Sequence, residues 1–295
     1  MSLKKYFFTK IHKYRKEEQN KQCCYFPYGH FYSPIIDINE IRDRQDEIWS
    51  KSEKDGIVGI NLELENQIQL VKHLSTFYPE IPFRSGKQSG IRYYFENDQY
   101  SYSDAIILYS IIRYFQPKKI IEVGSGFSSA LMLDVNERFF HNFIDLTFIE
   151  PYTERLESLL KVGDQCNIVR EKVQSVPLDA FQHLCKNDIL FIDSTHVAKT
   201  GSDVNYLLFE ILPTLKKGVL IHFHDIFYPF EYPRDWVFEG RNWNECYLLK
   251  AFLMYNECFN ICLFSHYLHT HHKDAFADMP LTYLNPGGNL WLQKK

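Results

Sequence analysis

From residue 119 onward, short runs of apolar residues alternate with amphipathic stretches. This alternation constrains the fold more than any other feature of the chain. Lys119 to Val123, Leu146 to Glu150, Asn167 to Arg170, Asp188 to Asp193 and Gly218 to Phe223 read as successive strands, with Asn260 to Ser265 and Asn289 to Leu292 as two more. Near-continuous apolar strands are buried on both faces. Separated by helical segments, they predict a mainly parallel, doubly wound sheet with right-handed crossovers. The predicted helices are Ser103 to Phe115, Ser128 to Arg138, Thr153 to Lys161, Asp203 to Leu215 and Glu245 to Tyr255. The fold class expected is therefore α/β and Rossmann-like, with seven strands.

The first hundred residues lack this alternation. Ile38 to Trp49 and Asn61 to Phe77 carry helical spacing, Ile91 to Phe95 reads as extended, and Pro79, Pro82 and Gly86 interrupt the chain. Residues 1–100 are expected to form a mostly helical extension or cap, with residues 101–295 as the catalytic domain.

Sheets of this kind bind ligands beyond the carboxyl ends of their strands. The first strand runs into Glu122-Val-Gly124-Ser125-Gly126-Phe-Ser128-Ser129. The glycines permit a tight turn and close approach of the backbone to a ligand. A dinucleotide fingerprint would carry a third glycine at position 129, where this chain has serine. A carboxylate at Glu122 would repel a pyrophosphate and suit a cationic amino group. Both facts favour S-adenosylmethionine over a nicotinamide cofactor. Glu150, followed by Pro151, stands at the spacing of a ribose-binding acid, and a carboxylate accepts both bonds of a diol. Gln174, after the third strand, is the candidate for the adenine amino group.

Two polar clusters end the fourth and fifth strands: Asp193-Ser194-Thr195-His196 and His222-Phe223-His224-Asp225. Transfer of a methyl group to an alcohol needs alignment and removal of a proton. His196 is the preferred base and His224 the second, with Asp193 beside them. Asp193 and Asp225 also offer hard oxygen ligands for Mg²⁺ or Ca²⁺, and His224 would shift the preference toward Mn²⁺ or other transition metals. The segment Trp236 to Tyr247 reads as a substrate loop entering a helix, with Asn244 equally suited to capping that helix. His269, His271 and His272 read as an exposed turn.

The runs IIEVGSGFSS, FIEP, FIDSTH, GSDVNYLLFEILPTLKKGVLIHFHDIFYPFEYP and WNECYLL together resemble the bacterial class I methyltransferases of the Methyltransferase-24 group, over about residues 100 to 295. The resemblance implies the S-adenosylmethionine fold, with Glu122, Gly124, Gly126 and Glu150 in cofactor contact; Ser125, Ser128, Pro151, Gln174 and Asp193 are the further candidates for the cofactor site read from the residues. The chain is more distantly similar to macrocin O-methyltransferase and cephalosporin hydroxylase-like groups, which bind Mg²⁺ through the strand-four Asp and an acidic pair after strand five. Asp193 and Asp225 match that pattern, but His224 stands where a carboxylate is usual. A hydroxylated small-molecule acceptor, a sugar or secondary metabolite, is implied. A nicotinamide-dependent oxidoreductase and a non-catalytic cofactor-binding module are the alternatives.

The balance of 33 basic and 37 acidic residues, a net charge of −4, gives no footprint for nucleic acid. The basic segment Lys4 to Lys21 reads as a solvated, partly helical arm. Seven cysteines with no CxxC pair fit free thiols in a reducing compartment. No run is long enough to span a bilayer. The expectation is cytoplasmic residence, no membrane or nucleic-acid partner, and an open question over self-association.

Overall fold

The computed structural model describes residues 24–50 and 56–295. The basic arm expected over Lys4 to Lys21, and Cys23, lie outside the described residues. The described residues divide into two units. Residues 24–50 with Pro233–Asn242 form the smaller, and residues 56–232 with 243–295 the larger. Residues 56–100, expected as part of an extension, fall in the larger unit. In the larger unit, Gln67 on the helix Leu64–Ser75 is fully buried and accepts the backbone N–H of Phe264 at 2.7 Å. Arg92 is likewise locked to Asp134. This stretch is built into the larger unit as part of its core.

In the smaller unit the helix expected over Ile38 to Trp49 forms as two, Ile38–Asp43 and Gln45–Trp49, parted at Arg44. Asp37 caps the first by accepting from Asn39 N at 2.8 Å. Phe238, on the helix Arg234–Phe238, lies against Trp49 and beneath the guanidinium groups of Arg42 and Arg234.

The larger unit holds a seven-stranded sheet: β1 Lys119–Val123, β2 Asp145–Ile149, β3 Asn167–Val169, β4 Ile189–Ile192, β5 Leu220–His224, β6 Phe259–Phe264 and β7 Asn289–Lys294. Their order is β3-β2-β1-β4-β5-β7-β6. The first five are mutually parallel, while β7 runs antiparallel between β5 and β6. This is the Rossmann-like, mainly parallel seven-stranded α/β architecture expected from the sequence. All four residues of β4 and all five of β5 are buried. Each large apolar side chain among them contributes roughly 1.5–3 kcal/mol by leaving water.

Helices cover the sheet, including Tyr102–Phe115 packed on Phe127–Phe139. The helix expected from Asp203 to Leu215 widens into a π turn over Leu207–Ile211 before Leu212–Thr214. Pro213 lacks the N–H that a regular α-helix would use here, which accounts for the altered bonding.

The His269 cluster is not an exposed turn. It lies on the helix Ser265–His271 and just beyond its end. His269 stacks on Phe276 with ring centres 3.9 Å apart, and its Nε2 lies 3.0 Å from Ser103 Oγ. Burial pushes its imidazole down to about 4, so it packs as a neutral ring. The six described cysteines are all free thiols. Among the described residues, no helix is long and apolar enough to cross a membrane.

Candidate functional site

The strand order reverses around β1, with β2 on one side and β4 on the other, so a crevice opens at the carboxyl ends of these strands. There β1 ends in a turn that only glycine fits. Gly124 has φ of 86°, and a Cβ at that position would stand 1.7 Å from the carbonyl oxygen of Asp193. The ends of β1 and β4 thus meet backbone to backbone, beside a cavity of about 380 Å³. Gly124, Glu150, Pro151, Gln174 and Asp193 all line it. Lys172, Ser194, Thr195 and Asp203 join them.

Glu150 occupies the cavity wall with both oxygens engaged by backbone. Ser125 N donates to one at 3.2 Å and Tyr152 N to the other at 2.8 Å. A carboxylate oxygen accepts more than one hydrogen bond, so each can still meet a ligand hydroxyl. Gln174 turns its amide to the carbonyl of Gly201 at 2.9 Å, across the cavity mouth. Thr195 is tied by its backbone N and its hydroxyl to Asp203, at 2.9 and 2.7 Å.

Glu122 departs from the expectation of direct ligand contact. Its side chain is fully buried beneath the glycine turn, where Ser128 donates to one oxygen at 2.5 Å and Ser129 to the other. Burial drives its pKa up to about 8 against the pull of those two hydroxyls. Ser128 is occupied in the same way, and the backbone N–H of Gly126 is satisfied by Ser129 Oγ at 3.0 Å. These residues brace the turn from below. Of the turn itself, Gly124 reaches the cavity lining.

The second part of the site lies at the ends of β4 and β5. His196 and Asp225 both adopt left-handed backbone, with φ of 58° and 57°. For residues other than glycine such conformations cost roughly 1–3 kcal/mol and persist only where the surroundings enforce them. At His196 the surroundings are clear: its carbonyl accepts the backbone N–H groups of Asn244 at 3.0 Å and Glu245 at 3.1 Å. Its ring is held by Glu245 Oε2, 2.9 Å from Nδ1, and tilts against the ring of Trp243 at 4.3 Å. Nε2 faces Asp193 Oδ1 at 3.4 Å and Asp225 Oδ2 at 3.7 Å. Burial alone would lower the imidazole, but Asp193 and Glu245 outweigh it and push His196 up to about 10.

His224 is buried among three carboxylates: Asp193 at 3.5 Å, Asp225 at 3.6 Å and Asp104 at 3.6 Å. Burial works against its charge, yet the combined negative field of Asp225, Asp193 and Asp104 holds it well above the usual imidazole range. Those cations in turn depress Asp193 below the usual carboxylate range, although its burial opposes this. Asp225, more deeply enclosed, is raised by burial instead. Asp193 retains 31% exposure of its side chain and is the group of this cluster that opens into the cavity. His222 takes no part. It lies between Phe191 and Trp291, at 4.0 and 4.6 Å, and burial lowers its pKa well below the ordinary value.

Asp104 and Glu245 are the site residues that sequence reasoning missed. Both begin helices, where an acid is ordinarily explained by the helix dipole. The signal available was Trp243-Asn244-Glu245 itself, read as a cap. Asn244 does hold a loop, but the one carrying His196: its Oδ1 accepts from Ala198 N at 2.6 Å and its Nδ2 donates to Ala198 O at 3.2 Å. Among the described residues, no group of three or more His, Cys, Asp or Glu is arranged to hold a metal ion.

Residues 121–226 match the family model Methyltransf_24, a methyltransferase domain. An uncharacterized protein of Archaeoglobus fulgidus is 34% identical over 170 residues, covering 56% of this chain and 76% of its own length. Among solved structures, the plantazolicin methyltransferase BpumL, in complex with a triazolic desmethylPZN analog and SAH, is similar at 14% identity and a TM-score of 0.46, over 80% of this chain and all of that one. A putative caffeoyl-CoA O-methyltransferase from Staphylococcus aureus is similar at 14% identity and a TM-score of 0.41, over 88% of this chain and all of that one.

Proposed function

The chain belongs to the Methyltransf_24 methyltransferases, and from that membership we propose that it transfers the methyl group of S-adenosylmethionine to a hydroxyl of a small acceptor, a sugar or secondary metabolite. The observation that carries the hydroxyl reading is His196, whose Nε2 faces Asp193 at the cavity edge while its Nδ1 is occupied. The residues present fit the cofactor. Gly124 leaves open the space a side chain would fill, Glu150 offers paired acceptor oxygens to a ribose diol, and Gln174 offers an amide to the adenine edge. S-adenosylmethionine supplies an electrophilic methyl carbon on a sulfonium centre.

The chain's own residues supply the rest. The unprotonated Nε2 of His196 takes the proton of the acceptor hydroxyl, which makes the oxygen nucleophilic as it meets the methyl carbon in line. Asp193 and Asp225 then stabilise the imidazolium that results, at 3.4 and 3.7 Å from Nε2. His224 acts as a fixed cation that keeps the crowded carboxylates compatible.

The donor set does not fit a divalent metal. Among the described residues, Asp193, His224 and Asp225 do not come together as a group arranged to hold an ion. No step is assigned to one. The nicotinamide alternative has no support in the family match.

Calorimetric titration with S-adenosylmethionine tests the reading. We expect a saturable heat in the wild type and about 10- to 100-fold weaker binding for Glu150→Ala, the loss of hydrogen bonds to a charged group worth roughly 1.5–3 kcal/mol. A wild-type protein that takes up neither S-adenosylmethionine nor S-adenosylhomocysteine would overturn it.

A further inference from the structure

Glu245 has a second feature besides its hydrogen bond to His196: it is a buried acid with one partner. It is 1% exposed at the first residue of the helix Glu245–Leu253, and its other oxygen, Oε1, is enclosed without a hydrogen bond. A first-turn acid serving the helix dipole gains roughly 0.3–1 kcal/mol and needs no burial to do so. Enclosing a carboxylate costs several kcal/mol unless a partner compensates. The dipole is too small to explain the arrangement, which leaves His196 as the compensating partner.

The surroundings fix that pair in one geometry. The backbone N–H of Glu245 donates to the His196 carbonyl at 3.1 Å, so the same residue grips both the main chain and the ring of His196. Trp243 restrains the ring plane, and Asn244 pins Ala198 two residues further on. The left-handed backbone of His196 is the conformation this double grip enforces.

We infer that Glu245 is the positioning residue for His196: it keeps a proton on Nδ1 and so confines the loss and gain of the catalytic proton to Nε2, the nitrogen that faces Asp193, the acid of this cluster that lines the cavity. The inference rests on the reading of His196 as the base. A carboxylate oxygen 2.9 Å from a ring nitrogen accepts, so Nδ1 must donate, and proton transfer to or from an acceptor hydroxyl is left to Nε2. The companion carboxylates on the Nε2 side, Asp193 and Asp225, lie farther away, which leaves that nitrogen the more loosely held.

Proton NMR on the intact protein, with ¹⁵N-labelled histidine, tests this without any acceptor. The expected result is a far-downfield ring N–H signal that couples to Nδ1 of His196 and is absent from His196→Asn. It should be lost in Glu245→Ala and kept, shifted upfield, in Glu245→Gln, whose side-chain carbonyl still accepts while the charge is gone. Glu245→Gln should melt close to the wild type, so that it reports on the ring even where Glu245→Ala folds poorly. A wild-type signal borne by Nε2, or one that survives Glu245→Ala unchanged, overturns the inference. Titration of the same samples with S-adenosylmethionine keeps the two readings apart. Absence of cofactor binding sinks the function proposed above, whereas a misplaced proton in a protein that binds cofactor normally sinks only the role of Glu245.

Discussion

Two clusters of buried charge lie in the larger unit, built on different terms. Around Arg92, whose side chain is 3% exposed, every strong donor has an acceptor. Asp134 and Glu137 sit 2.6 and 2.7 Å from Nη1, Asp164 takes the other edge of the guanidinium, and Asp134 also accepts the backbone N–H groups of Arg92 and Tyr93 at 2.8 Å. Around His196 and His224 the ion pairs are longer, 3.4 to 3.7 Å apart from the one bond to Glu245. Both ring nitrogens of His224 lack a well-formed hydrogen bond, and two residues hold strained backbone. The first arrangement is what a fold uses to fasten a loop. The second keeps groups of opposite charge near one another without letting them close, which is how a site stays able to exchange a proton with a ligand.

The sharpest test of the contrast is His196→Asn. Asparagine places an N–H near the position of Nδ1, so it can still meet Glu245, and it tolerates left-handed backbone better than most residues. It has nothing at Nε2. Release of S-adenosylhomocysteine across a panel of hydroxylated acceptors should fall by about 10²- to 10⁴-fold, the usual worth of a general base. A large loss of stability with little loss of turnover would show that the cluster fastens the fold after all.

Arg92→Ala should do the reverse. It leaves Asp134 buried with only the more distant Lys161, 3.8 Å away, as a cation, and unfolding curves should show about 3–5 kcal/mol of destabilisation. A change under about 1 kcal/mol would remove the distinction drawn here.

The last test is that of pH. His196 titrates near 10 against an ordinary imidazole value of 6.5. Its neutral, proton-accepting form therefore grows as pH rises from 7 to 10, and turnover should climb by up to about tenfold per unit. Stability runs the other way. Because the folded value is raised, the stabilisation from protonated His196 is complete below about pH 6.5 and is lost as pH climbs toward 10. Arg92, raised above an already high guanidinium value by its carboxylate partners, keeps its charge throughout. Rate and melting profiles that rise together with pH would contradict the assignment of His196 as the base.

Much of this was legible in the residues themselves. Buried strands announce themselves because apolar runs such as Ile189–Ile192 have few alternative fates, and Gly124, Glu150 and Asp193 follow once those strands are placed. What stayed hidden were partnerships across long stretches of chain. Asp104 meets His224 over 120 residues of sequence, and Gln67 meets Phe264 across 197. Both acids of the site begin helices, and Gln67 lies on a surface-looking helix, so local chemistry offered a sufficient reason for each without its distant partner. Glu122 misled in the opposite sense. Its position beside the glycines suits a ligand, but the serines that follow turn inward and occupy it.

The contact between Gly124 and the Asp193 carbonyl has a practical consequence for anyone wishing to redesign this protein. With no side chain between them, the two strand ends share a single rigid edge, and a methyl group at position 124 would wedge them apart. Libraries that vary the acceptor preference can therefore roam over the loop around Trp243 and the residues after Thr195, but selection at position 124 should return glycine from every pool.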